Sequence, residues 1–151
     1  MQMPKWFGVK YPTLDNMTAF AEQLGAGVAD ADIPFGLFFP DVEGVPVILL
    51  PKDSGPLERM WYLAHEVGHL LLHKGYTSQW ACDRQESRAD RWAARALIPE
   101  SAVRRHQNAS VDAFIGALSA HYEDIPLVDC PQRRLAGMIA IIRLGAVEEV
   151  G

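Results

Sequence analysis

The sequence predicts an α+β fold in one domain that covers residues 1–151. Two observations predict this class. A helical pattern near the N-terminus is followed by two short apolar runs with turn residues between them, and nearly all later periodic segments have helical spacing. No linker rich in Pro, Gly or Ser divides the chain, and 151 residues are enough to bury a hydrophobic core.

The expected elements follow in chain order. The first helix covers about residues 13–24, because apolar residues recur at i, i+3, i+4 and i+7 and a glycine follows. Two strands over 33–39 and 45–50 are expected to pair as a hairpin. The remaining helices are expected over about 57–74, over about 84–97, after a cap at Ser110 and from Pro131.

Composition and charge exclude several classes of protein. Hydrophobic residues make up 49% and charged residues 22%, which is ordinary for a soluble globular protein. No apolar run is long enough to cross a bilayer, and the N-terminus has no pattern of a secretory signal. Cys82 and Cys130 do not suggest a disulfide framework, so we expect a cytoplasmic location. The net charge of −5 leads us to expect no direct binding to nucleic acid, and we expect no membrane association.

The long helix expected in the middle of the chain contains His65-Glu66-Val67-Gly68-His69, an H-E-x-x-H motif. The two histidines lie about 40° apart around the helix axis and one turn apart along it, so both imidazoles can reach one metal ion. Glu66 is offset around the helix, where it can take a proton from a metal-bound water. The alternative is a chance match, with Glu66 in a salt bridge and the histidines satisfied in the core.

A metal site of this kind needs a third protein ligand. His73 lies two turns along the helix from His65 and about 80° around its axis. We therefore interpret it as a helix-end residue, where the helix dipole favours a positive charge, and not as the third ligand. Cys82 is a possible thiolate ligand. Glu86 is favoured because it shares the inward face of the next helix with apolar residues; the alternative is a capping-box glutamate with Asp83 as N-cap. Asp90, one turn later, is placed to hold the free N–H of a ligating histidine.

Two segments resemble the signatures of the ImmA/IrrE metallopeptidases. The first is 63–73, which reads LAHEVGHLLLH. The second is 86–99, where the family shows a Glu, an Ala-Asn or Ala-Asp pair, an aromatic-Ala-Ala and a closing Pro. The resemblance covers about residues 13–99. Two departures are visible: Tyr62 stands where Thr is common, and the family's Val-Ser pair is not evident around 125–127.

The resemblance implies a zincin-like fold and a zinc endopeptidase. His65, His69 and Glu86 would be the ligands of one Zn²⁺ per chain, Glu66 the general base, and Asp90 a partner of a ligating histidine. Mn²⁺ and Fe²⁺ are alternatives for this donor set. Family members act in bacteria, phages and mobile elements by cleaving helix-turn-helix repressors, so the implied partner is a protein substrate that is a DNA-binding repressor.

Two other function classes stay open on the sequence alone. One is a catalytically idle, metal-stabilised interaction module of a mobile element or a toxin–antitoxin system. The other is a transcription regulator that binds DNA through the arginines at 84, 88, 91 and 95, which share one helix face. For the peptidase, we expect the substrate to lie extended along a sheet edge supplied by strand 45–50. The candidate donors to the oxyanion are His106, His121, Tyr76 and Tyr122.

Overall fold

The structure is a computed structural model that describes residues 2–40, 43–73, 82–105, 110–122 and 125–150. Helices and strands both occur, so the predicted α+β class is confirmed. No helix in these ranges is both long and apolar enough to span a membrane. The elements are α1 (Leu14–Gln23), β1 (Gly27–Ala31), β2 (Leu37–Pro40), β3 (Pro46–Pro51), α2 (Pro56–Leu72), α3 (Asp83–Leu97), α4 (Glu100–Arg105), α5 (Val111–His121) and α6 (Pro131–Val150).

Local capping residues explain where several helices begin and end. Thr13 and Asn16 form a reciprocal capping box at the start of α1, in which each side chain accepts the other residue's backbone N–H at 3.0 Å. Gly25 follows the end of this helix with φ at 92°, in the left-handed region that favours glycine. Ser110 accepts a backbone N–H of α5 at 3.2 Å, which confirms the predicted cap. Pro131 is the first residue of α6, as predicted.

The described strands form one sheet in the order β1-β3-β2. Strands β2 and β3 are antiparallel, with Leu37 opposite Leu49, so the predicted hairpin is confirmed. Strand β1 was not predicted, and it pairs with β3 in parallel from Gly27 opposite Val47 onwards. Because β3 is bonded on both sides, the expectation that it offers a free edge to a substrate is wrong. The edges of the described sheet are β1 and β2.

Helix α2 lies at the centre of the packing. It contacts α1, α3, α6 and β3 and shares the hydrophobic core with all four. Nine of its 17 residues are buried, among them Leu63, Ala64 and Val67, so the predicted buried helix is confirmed. The helix ends at Leu72, two residues before the predicted end. Short helix α4 follows α3 directly and was not predicted.

Candidate metal centre

Three side chains from α2 and α3 converge where these helices meet. The Nε2 atoms of His65 and His69 lie 3.1 Å apart. The carboxylate of Glu86 reaches both of them, with Oε2 3.0 Å from Nε2 of His65 and Oε1 2.9 Å from Nε2 of His69. One donor atom from each residue falls within 4.8 Å of the others, and the three together could hold a metal ion. The structure thus brings together all three residues that the sequence proposes as ligands.

Asp90 determines which nitrogen of His65 faces this group. Its Oδ1 lies 2.7 Å from Nδ1 of His65. A carboxylate only accepts hydrogen bonds, so the neutral imidazole carries its proton on Nδ1 and presents a lone pair at Nε2. That lone pair faces the oxygens of Glu86, which are acceptors too. Two acceptors at this distance need a positive charge between them, which a proton on Nε2 or a bound metal cation can supply. The residues present therefore fit a bound metal.

The pKa values of the two histidines are shifted in opposite directions. Burial lowers the pKa of His65, but the hydrogen bond to Asp90 and the negative charges of Glu66, Asp90 and Glu86 outweigh it, and the pKa lies above its ordinary value. Burial, with the charges of His65 and His73, lowers the pKa of His69 to about 3. His69 is therefore neutral at pH 7, which is the form that binds a metal.

Glu66 is adjacent to His65 in the chain and is not one of the three converging residues. Its side chain is buried, at 3% exposure, and its charge acts on His65. Since Glu66 follows His65 on α2, its carboxylate leaves the helix about 100° further around the axis. A buried carboxylate is therefore close enough to the site for its charge to act on His65, and its role as the general base stays a prediction.

Gly68 explains how α3 comes close enough for Glu86 to reach the histidines. A Cβ at this position would lie 3.1 Å from the carbonyl oxygen of Ala89 and 3.2 Å from its Cα. Both atoms belong to the backbone of α3, so any side chain here would separate the helices. The glycine inside the H-E-x-x-H motif thus sets the distance between the elements that carry the two histidines and the carboxylate.

His73 contacts the candidate ligand His69, which its position in the sequence did not predict. It is the C-cap of α2, which confirms the helix-end position. Its Nδ1 lies 3.0 Å from Nδ1 of His69, and its side chain is buried. Burial, and then the charge of Arg88, lowers the pKa of His73 despite the opposing charge of Glu86, so its environment does not favour a cation. The i, i+4 spacing from His69 was the signal in the sequence.

Neither Cys82 as a ligand nor Glu86 as a capping-box residue agrees with the structure. Cys82 is exposed and does not belong to the converging group. It is the N-cap of α3, and its backbone N–H donates to the side chain of Gln85 at 3.1 Å. Asp83 is the first helical residue and not the cap. The interpretation of Glu86 as a capping-box partner of Asp83 is therefore wrong.

The two candidate oxyanion donors among the described residues, His121 and Tyr122, do not lie at the metal site. His121 and Tyr122 line a cavity of about 280 Å³ together with Tyr11 and Met60, and none of the three converging residues lines it. His121 stacks on Tyr11, with ring centroids 3.8 Å apart. The remaining two candidates, His106 and Tyr76, lie outside the described residues.

The comparisons with known proteins agree with this geometry. The family model for the IrrE N-terminal-like domain, Peptidase_M78, matches residues 24–123, which is more than half of the chain. The match contains the whole sheet, the H-E-x-x-H helix and α3, and supports the zincin-like fold that the resemblance implied. No curated protein matches the chain. The chain belongs to the IrrE N-terminal-like family of metallopeptidases.

Proposed function

We propose that this protein is a zinc-dependent endopeptidase that cleaves a protein substrate, and that the substrate is a DNA-binding repressor. The observation that carries the enzymatic part is the convergence of His65, His69 and Glu86 beside the buried carboxylate of Glu66. Two neutral imidazoles and one carboxylate form the donor set of zinc peptidases that leave a coordination position open. The repressor is proposed from the family resemblance alone.

Glu66 and Asp90 have different roles in the proposed reaction. Zinc, when bound, would polarise the scissile carbonyl and lower the pKa of the attacking water. Glu66 accepts the proton of that water as the C–O bond forms and then passes it to the leaving nitrogen as the C–N bond breaks. The products are a carboxylic acid and an amine, which ionise at pH 7 to a carboxylate and an ammonium group. Asp90 keeps the proton of His65 on Nδ1, so Nε2 stays directed at Glu86.

Strand β2 is the part of the sheet that we propose for the substrate. A Cβ on Gly36, the residue before β2, would lie only 2.8 Å from Cβ of Tyr62. Tyr62 precedes His65 by one turn of α2, so the edge strand begins against the helix that carries the histidines. An extended peptide can add to such an edge through main-chain hydrogen bonds. This proposal replaces the expectation for β3.

The alternatives receive less support. An idle interaction module does not need a carboxylate beside its metal, whereas Glu66 is buried there. For DNA binding, the arginines at 84, 88 and 95 are exposed along α3, as on many solvated helix faces. A salt-dependent interaction with unrelated DNA would favour the second alternative.

The exchange Glu66→Gln tests the proposed function. The variant should bind zinc with the stoichiometry of the wild type and lose cleavage by about 10²–10⁴-fold, because the amide cannot accept the proton. Zinc-loaded protein is incubated with a proteome-derived peptide library and with purified helix-turn-helix repressors, and new termini are counted by mass spectrometry. Glu22→Gln, the same exchange at an exposed position of α1, is the control. Equal numbers of new termini from the wild type and Glu66→Gln would refute the mechanism.

A further inference from the structure

We propose that His73 is a positioning residue that fixes the tautomer of His69 and so directs the Nε2 lone pair of His69 at the metal. This inference rests on the proposed metal site. It concerns a third histidine, the C-cap of α2, which is not one of the three converging residues. Asp90 has the corresponding position for His65, so each of the two histidines would be held through its Nδ1 atom.

The end of α2 brings His73 to this position. The backbone N–H of His73 donates to the carbonyl oxygen of His69 at 2.9 Å, so one turn of helix separates the two residues. At His73 the backbone becomes extended, with φ at −128° and ψ at 91°. The rings then lie with their centroids 5.1 Å apart and tilted by 50°, and the two Nδ1 atoms are 3.0 Å apart. Both side chains are buried.

A contact between two imidazole nitrogens at this distance is a hydrogen bond with one proton, and its direction decides what His69 offers on its other side. If His73 donates, Nδ1 of His69 accepts, and the neutral His69 ring carries its proton on Nε2. That proton would point at Oε1 of Glu86 and block metal binding. If His69 donates, its Nε2 presents a lone pair to the same space. A metal site therefore requires His73 to accept through Nδ1.

The two partners of the ligand histidines differ in charge. Asp90 is a carboxylate and raises the proton affinity of His65, whereas His73 is an imidazole and adds no negative charge. His73 thus orients His69 without adding to the negative charge of Glu66, Glu86 and Asp90. Loss of such an orienting partner typically weakens metal binding by about 10–100-fold.

Two exchanges at one position separate the hydrogen bond from the packing. In His73→Asn the side-chain oxygen can occupy the place of Nδ1 and accept from His69, whereas His73→Leu fills the space without an acceptor. Zinc affinity is measured on the full chain by competition with a chromophoric chelator. We expect His73→Leu to bind zinc about 10–100-fold more weakly than the wild type, and His73→Asn to remain within about threefold.

The tautomer is read directly in the unaltered protein. Long-range ¹H–¹⁵N NMR spectra of the metal-free protein with labelled histidines, recorded at pH 7, should show the His69 proton on Nδ1, with the signal assigned from a His69→Asn spectrum. Unchanged zinc affinity in His73→Leu, or a proton on Nδ1 of His73 that is donated to His69, would overturn the role of His73 alone. A wild type that binds no zinc would overturn this role together with the metal site.

Discussion

Replacement of Gly68 by alanine tests the close contact that brings α3 to the metal helix. The added Cβ would meet the carbonyl oxygen and Cα of Ala89 at 3.1 and 3.2 Å, and a ring carbon of Trp92 at 3.4 Å. The first two are backbone atoms, which cannot rotate away as the end of a side chain can. Helix α3 must therefore shift by a few tenths of an ångström to accept the methyl group.

The expected magnitude comes from two opposing effects. Alanine is favoured over glycine inside a helix by about 1 kcal/mol. Overpacking at a tight contact costs about 1–3 kcal/mol. The net change in the free energy of unfolding for Gly68→Ala is therefore between about zero and a loss of about 2 kcal/mol. Gly116 in α5 is the matched control, because a Cβ added there would meet nothing within 4 Å, and Gly116→Ala should gain about 1 kcal/mol.

Unfolding by urea and by heat, both with a chelator present, measures the difference between the two variants. We expect Gly116→Ala to be more stable than Gly68→Ala by about 1–3 kcal/mol, or about 2–4 °C in Tm for each kcal/mol. Zinc affinity should fall in Gly68→Ala only, because Glu86 moves with α3. Equal stabilisation by both exchanges, with unchanged zinc affinity, would refute the role given to Gly68.

Three further predictions concern stability and pH. Arg143→Met should lower the free energy of unfolding, measured with urea, by about 2–4 kcal/mol. The buried guanidinium of Arg143 donates to a backbone carbonyl at 2.8 Å and pairs with Glu100 at 2.7 Å, and both contacts are lost in the variant. Unchanged stability would contradict this. The metal-free protein should lose stability as the pH falls from about 6.5 towards 3, because the unfolded chain takes up a proton that His69, with its lowered pKa, does not. His73, whose pKa is also lowered, acts in the same direction, whereas His65, with its raised pKa, contributes stability that is lost only as the pH rises above about 6.5. His69→Asn should therefore reduce the acid-dependent loss measured by urea unfolding, and an undiminished loss would contradict this. Thr13→Ala should cost about 1 kcal/mol by loss of the capping box, whereas Thr13→Ser should not, since it keeps the hydroxyl.

The site could be predicted from the sequence because its geometry is mostly local. The i, i+4 spacing of His65 and His69 fixes their relative direction once the segment is a helix, and Glu86 lies on the apolar face of the next helix. The contribution of His73 was missed because its ring direction depends on where α2 ends. The role of Gly68 could not be predicted from the sequence, because it depends on the position of Ala89, which is defined only by the packing of α3 against α2.

The parts of the fold that were missed depend on tertiary contacts or are too short to show a period. Strand β1 reads GVADA, with exposed Ala29 and Asp30, and it becomes a strand because β3 offers it a partner edge. Without β1, strand β3 looked like an edge, and the error in the expected substrate strand followed. Helix α4 has only six residues, fewer than two turns of apolar periodicity.

The most direct test of the metal centre is the zinc content of protein purified without a histidine tag, measured by elemental mass spectrometry. The wild type should contain about one zinc per chain, and the double variant His65→Asn/His69→Asn should contain none, because two of the three converging donors are altered. Wild-type protein without metal after incubation with zinc, or a double variant that retains as much zinc as the wild type, would contradict the site.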